Sequence, residues 1–196
     1  MYRFFYNPDN VGDVLFVVVD PEAIPNKVVE RDGLTALYRD DVLVGANLFG
    51  VGEAFGLTEK GMIVKIDEKL FCNVNEQFSK NGLEPLAKNV DSGYLVARVT
   101  KLEEHPLDER CNIVTLDLGG KELTTVSRYA NLEEGMRIVV AIDGCIKFDG
   151  TAFHKKIVRN IPIECEVCSP FDLRLNEEGK SAFVVTDKAP GEDFFA

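Results

Sequence analysis

The side chains with the clearest chemical potential in this chain are cations lying beside flat groups. His154-Lys155-Lys156 and Arg159 fall within six residues, and Lys147-Phe148 lies just upstream. Ser127-Arg128-Tyr129-Ala130-Asn131 sets a cation, an aromatic ring and an amide side by side. Lys101 and Arg110 flank a turn built on His105-Pro106. Cations that track phosphates, with aromatic faces on which bases stack, are what a single-stranded nucleic acid requires of a protein surface. The competing reading of each residue is a solvated charge that offsets nearby acids. Both histidines, His105 and His154, lack the nucleophile and orienting partner of a catalytic constellation. There is no G-x-S-x-G elbow, Walker loop or H-E-x-x-H helix. Gly50-Val51-Gly52-Glu53-Ala54-Phe55-Gly56 misses the dinucleotide spacing and sits in no βαβ unit. No enzyme and no cofactor are therefore expected.

Cys165-Glu166-Val167-Cys168 has the spacing of half a zinc site, yet a structural zinc needs four ligands and no second pair is present. Residues three apart on a strand point to opposite faces, so these thiols are expected to diverge, with no metal bound. Five cysteines, an odd number, argue against a disulfide framework and for a reducing compartment. The opening Met1-Tyr2-Arg3-Phe4-Phe5-Tyr6-Asn7-Pro8-Asp9 does not read as a secretory signal, and no apolar run is long enough to span a bilayer. A cytoplasmic protein without membrane contact is the expectation.

Charge limits the nucleic-acid reading. The 33 acidic and 22 basic residues give a formal net charge of −11. Bulk charge cannot draw such a chain onto phosphate, so any RNA affinity must come from a local cluster, be weak and respond to salt.

The elements that must position these residues are mostly short strands. Residues 14–19 form an apolar β-branched run with polar ends, a buried strand. Residues 27–30, 34–39 and 43–48 continue a meander through turns at Arg31-Asp32-Gly33 and Arg39-Asp40-Asp41. One helix follows, capped by Asp67, with Leu70, Val74 and Phe78 on one face and Asn81-Gly82 as its stop. The polar, aperiodic stretch 80–93 marks a boundary, giving domains at 1–89 and 90–196. In the second, strands are expected at 94–99, 112–118, 123–127, 137–142, 157–158 and 166–169, with a hairpin turn at Gly119-Gly120. The fold class is thus mainly β (α+β overall): an N-terminal β-rich domain with one helix, and a C-terminal OB-fold barrel.

Residues 94–173 resemble the tRNA-binding domain shared by EMAP-II-like proteins, CsaA, the β-subunit of bacterial phenylalanyl-tRNA synthetase and the YtpR proteins. The entry motif of that family, V-x-x-V-x-x-H-P-N-A-D-K-L, is matched by Val96, Val99, His105 and Pro106, with Glu109 and Arg110 standing for Asp and Lys and Gly119 closing the strand. Ser127, Asn131 and Gly135 resemble its middle loop, and Val158, Arg159, Cys168 and Ser169 its late motif. Phe5-Tyr6-Asn7, Val11-Gly12-Asp13 and Asn47-Leu48-Phe49 resemble the opening domain of YtpR-type proteins, so the likeness extends over nearly the whole chain. Leu107, Asp108, Cys111, Arg128 and Tyr129 depart from the pattern. So does the loop Ile163-Glu164-Cys165-Glu166-Val167, whose two carboxylates are expected to repel phosphate.

The resemblance implies a non-catalytic protein that binds tRNA, or other structured or single-stranded RNA, through its OB surface. Lys101, Arg110, Arg128, Lys147, Lys155, Lys156 and Arg159 would neutralise phosphate, and Tyr129 would stack on a base or sugar. His105 and Asn131 would form hydrogen bonds, and Ser169 joins the site through the late motif. The alternative is a degenerate OB module that serves protein–protein interaction, including a homodimer.

Overall fold

The computed structural model describes residues 1–58, 60–89 and 91–196. The chain forms two compact units, Met1–Val90 and Asp91–Ala196. Val90, assigned on sequence to the second domain, lies outside the described residues.

In the first unit, β1 (Arg3–Tyr6), β2 (Val14–Val18), β3 (Lys27–Arg31), β4 (Leu34–Arg39), β5 (Val42–Phe49) and β6 (Gly61–Ile63) form one sheet. Its order is β3-β4-β5-β2-β1-β6, antiparallel throughout. Asp40 and Asp41 both take positive φ, as a two-residue turn between right-twisted strands requires. Leu15 opposite Leu48 and Val17 opposite Ala46 face the core, where Leu70, Val74 and Phe78 of α3 (Glu68–Lys80) pack. The Asp67 side chain accepts the Leu70 N–H at 2.7 Å and so caps α3. Two single-turn helices, α1 (Pro8–Val11) and α2 (Gly52–Phe55), join the one helix expected. The glycine cluster has a structural explanation. Asp13 accepts hydrogen bonds from Tyr6 Oη at 3.1 Å and Gly52 N at 2.8 Å, and a Cβ at Gly52 would lie 2.0 Å from that phenol oxygen.

The second unit is an OB-like barrel. Its strands are β7 (Tyr94–Glu104), β8 (Asn112–Asp117), β9 (Glu122–Ser127), β10 (Arg137–Ile142), β11 (Lys156–Val158), β12 (Ile161–Ile163) and β13 (Cys165–Val167). The main sheet runs β13-β10-β7-β8-β9. β7 is long because it bends: its first half pairs with β10 and its second with β8, with a register shift between Val99 and Lys101. The barrel closes between β9 and β13. Glu164 N–H donates to Thr124 O at 2.9 Å, Thr124 N–H donates to the Glu164 carboxylate at 2.8 Å, and Thr125 Oγ1 donates to Cys165 O. Ala97, Val99, Val114, Leu116, Leu123, Ile138, Val140, Cys165 and Val167 fill the interior. The last residues return along the first half of β7: Val96 N–H donates to Glu192 O, and Gly191 N–H to Val96 O.

Among the described residues no helix is long and apolar enough to cross a membrane. Both thiols of the Cys-x-x-Cys pair are buried, and no group of metal-ligating side chains assembles among the described residues. Burial pushes the Cys165 thiol up to about 12 and raises Cys168 well above its ordinary value.

Candidate nucleic-acid interface

OB barrels use the outer face of their second and third strands, here β8 and β9, between the first-to-second and fourth-to-fifth strand loops. Val114, Leu116, Leu123 and Thr125 point inward and are buried. The outward pairs are therefore Ile113 with Val126, Thr115 with Thr124, and Asp117 with Glu122. Apolar contact lies at one end, hydroxyls in the middle and carboxylates at the other. No aromatic ring lies on this strand face, so stacking must come from the loops. The face is about 17 Å long, five strand steps at roughly 3.4 Å each.

At the Asn112 end lies the β7–β8 loop. His105 Nδ1 accepts the Leu107 N–H at 3.2 Å, which fixes the ring against the turn. Asp108 organises this end. Arg110 Nε and Nη2 donate to its two oxygens at 2.9 and 3.1 Å, and Arg128, from beyond β9, approaches to 3.8 Å. Hydrogen bonds from the Arg110 side chain and backbone hold the Asp108 carboxyl well below the usual carboxylate range. Two arginines on one carboxylate leave one net positive charge. Lys101 lies in strand β7 and pairs with Glu103 at 3.0 Å.

At the opposite end the β10–β13 connection projects the hairpin β11–β12, with β12 against β9. Arg159 and Asn160 form its tip with φ of 51° and 66°, a two-residue turn of the type hairpins favour. Residues 154–160 are all exposed, and Ile157 keeps 75% of its surface open. Lys155 lies 3.6 Å and His154 3.7 Å from Asp143. The Lys155 N–H also donates to that carboxylate, which keeps it below its ordinary value. Lys156 and Arg159 have no carboxylate partner among the described residues. They are cations of this end without an ion pair among the described residues, as is Lys121, and they share the end with the Asp117 and Glu122 carboxylates.

The remaining expected residues gather on a flank near the end of β13. Tyr129 is half-buried and its hydroxyl donates to Asp172 at 3.3 Å; burial and the Asp172 charge push the phenol up. Ser169 is 1% exposed, and its N–H and hydroxyl both donate to Asp172. Asn131 donates to Ala182 O at 3.0 Å and accepts the Ala182 N–H at 2.8 Å, pinning the returning segment. The polar groups of Ser169 and Asn131 are thus committed to the fold. Lys147 pairs with Glu166 at 3.0 Å. Burial opposes its ammonium, but the Glu166 hydrogen bond and neighbouring carboxylates outweigh that and raise its pKa.

The carboxylates expected to repel phosphate therefore have other partners: Glu164 closes the barrel and Glu166 neutralises Lys147. Sequence reading missed the neighbours that the fold brings to this flank, Phe171, Asp172 and Arg174. Phe171 is 45% exposed, and the Arg174 guanidinium lies over its ring at 5.8 Å from the centroid. Nothing in the string Pro170-Phe171-Asp172 signals that the phenylalanine stays at the surface.

No family model matches the chain. Over 175 residues it is 25% identical to YtpR of Bacillus subtilis (strain 168), named as a candidate tRNA-binding protein, covering 87% of this chain and 87% of that protein. It is 26% identical over 116 residues to the phenylalanine–tRNA ligase beta subunit of Mannheimia succiniciproducens, 58% of this chain but only 14% of that subunit. The MetRS-related protein of Pyrococcus horikoshii aligns with 50% of this chain and 84% of its own at 18% identity and a TM-score of 0.36, too loose a superposition to define a shared fold. The chain is therefore similar to YtpR over most of its length, and over part of it to phenylalanine–tRNA ligase beta subunits.

Proposed function

We propose that this is a non-catalytic, cytoplasmic tRNA-binding protein that acts through the OB-like barrel of its second unit. The observation that carries this reading is the hairpin β11–β12. In a chain of net charge −11 it holds Lys156 and Arg159 exposed and without an ion pair among the described residues, beside the strand face on which OB barrels bind oligonucleotides. The names of the relatives, a candidate tRNA-binding protein and tRNA ligase subunits, support the same partner. RNA would lie across β8 and β9, its backbone held by Lys156 and Arg159 at one end and by Arg110 and Arg128 at the other. Thr115 and Thr124 would donate hydrogen bonds between them. Lys101, Lys147 and Lys155 contribute less, because each already faces a carboxylate. His105 and Tyr129 would contact sugar or base at the arginine end.

Fluorescence anisotropy with labelled unfractionated tRNA at about 50 mM salt, against duplex DNA of equal length, tests the proposal. Saturable binding to tRNA in preference to the duplex is expected; no binding at this low salt overturns it. A second reading, self-association through the hairpin, is favoured by the exposure of Ile157, because β11 pairs only with β12 among the described residues. Light scattering of wild type and Ile157→Lys separates the two: a dimer that the substitution dissociates supports self-association, and an unchanged monomer excludes it.

A further inference from the structure

We infer that the turn after β13 is a nucleobase platform, on which Phe171 receives one unstacked base of the bound RNA. The inference rests on the RNA-binding reading above and assigns a second contact outside the β8–β9 face. The turn is rigid. Leu173 is 2% exposed and anchors it, Arg174 N–H donates to Phe171 O at 3.0 Å, Leu175 N–H to Pro170 O at 2.9 Å, and Phe171 N–H to Glu178 O at 2.8 Å. A large aromatic ring is thus held at the surface by a backbone that cannot readily fold it away. Arg174 stacks over that ring while its backbone holds φ of 56°, a conformation that residues with a Cβ rarely adopt. Ring and guanidinium together form the aromatic and cation–π surface on which bases stack irrespective of sequence.

The chemistry beside the ring selects a base rather than a phosphate. A cleft of about 50 Å3, room for the edge of a base, is lined by Lys147, Phe148, Asp149, Phe171, Asp172 and Arg174. Its two carboxylates and two cations balance, so it does not concentrate anions. Thr151 donates its N–H and hydroxyl to Asp149 Oδ1, and the second Asp149 oxygen accepts no hydrogen bond from another of the described residues. That oxygen is an acceptor for an exocyclic amino group, as carried by guanine, adenine and cytosine. Tyr129 borders the same place through Asp172 and links the platform to the arginine end of the barrel.

The chain contains no tryptophan, so Phe171→Trp introduces a single indole at the platform. Titration of this full-length variant with unfractionated tRNA should quench its fluorescence, while inorganic phosphate should not. Phe171→Leu should weaken tRNA binding about 5- to 10-fold at every salt concentration, because stacking is lost and no charge is removed. Arg174→Gly suits the left-handed backbone, so it should keep the melting temperature or raise it while still weakening binding. An indole that tRNA leaves unquenched in Phe171→Trp, together with wild-type affinity in Phe171→Leu, overturns the platform and leaves RNA binding by the barrel intact. Failure of the wild-type protein to bind tRNA overturns both.

Discussion

Removing the two cations of the β11–β12 hairpin should change how RNA binding responds to salt more than it changes anything else. Lys156→Gln with Arg159→Asn is the informative pair. Glutamine keeps the length of the strand residue, and asparagine tolerates the left-handed backbone at Arg159, where φ is 51°. Both positions are exposed and neither side chain closes an ion pair among the described residues, so the melting temperature should hold. Each phosphate neutralised by a cation contributes about 0.7–0.9 to the slope of log K against log salt concentration. Loss of two should lower the slope by about 1.4–1.8. Between about 50 and 200 mM salt this narrows the ratio of affinities by about tenfold, a change that anisotropy titrations across that range resolve. The same change at Lys101, paired with Glu103 at 3.0 Å, should move the slope far less. An unaltered slope in the hairpin variant, or an equal effect at Lys101, would refute the assignment of the phosphate contacts to the hairpin.

Five further outcomes follow from the same geometry. Asp108→Asn releases Arg110 and Arg128 and should steepen the salt slope by about one phosphate contact, measured by the same titrations. The Asp108 carboxyl lies below its unfolded value of about 3.9, so its pairing stabilises the β7–β8 loop above that pH and is lost only as pH falls through the lower folded value. Amide exchange at Arg110 and Cys111 should accordingly stay slow from neutral pH down to about 4. Glu164→Ala removes the acceptor for Thr124 N–H and should cost about 1 kcal/mol of stability by chemical denaturation, without tightening RNA binding. Only Cys72 is exposed, so a thiol reagent at neutral pH should modify one cysteine in the native protein and five in denaturant. Gly52→Ala forces a methyl to within 2.0 Å of the Tyr6 oxygen and should lower the stability of the first unit by roughly 1–3 kcal/mol, read from its thermal transition.

The strands were legible where alternation was clean. In β8, Val114 and Leu116 turn inward while Ile113 and Thr115 face out, which is the period-two pattern seen in the residues themselves. The α3 helix was legible for the same kind of reason, because Asp67 caps it and Leu70, Val74 and Phe78 share a face. β1 and β6 were not. Arg3-Phe4-Phe5-Tyr6 is short and aromatic on both faces, and Gly61-Met62-Ile63 is too brief to show a period. The strand expected at 94–99 stopped short of Lys101 because the irregularity after Val99 hides the continuation of β7.

At the site, residue types were visible and their partners were not. Nothing local in the sequence says that Glu166 faces Lys147 across 19 positions, or that Arg128 shares Asp108 with Arg110. Nor does it say that Glu164 seals β13 to β9 across 40 positions. Those pairings decide which cations remain available. They move the weight from seven dispersed charges to Lys156, Arg159 and the two arginines around Asp108. Ser169 and Asn131 match the motif pattern in position, yet their hydrogen bonds hold the chain's own backbone and carboxylates.

The most direct test of the account is a titration of isotope-labelled protein with unfractionated tRNA, followed by backbone amide NMR. Shifts concentrated in residues 105–111, the outer positions of β8 and β9, residues 128–131 and the hairpin 154–163, with α3 and β3 unmoved, are the predicted result. Shifts confined to the first unit, or a spectrum that tRNA leaves unchanged at about 50 mM salt, would contradict it.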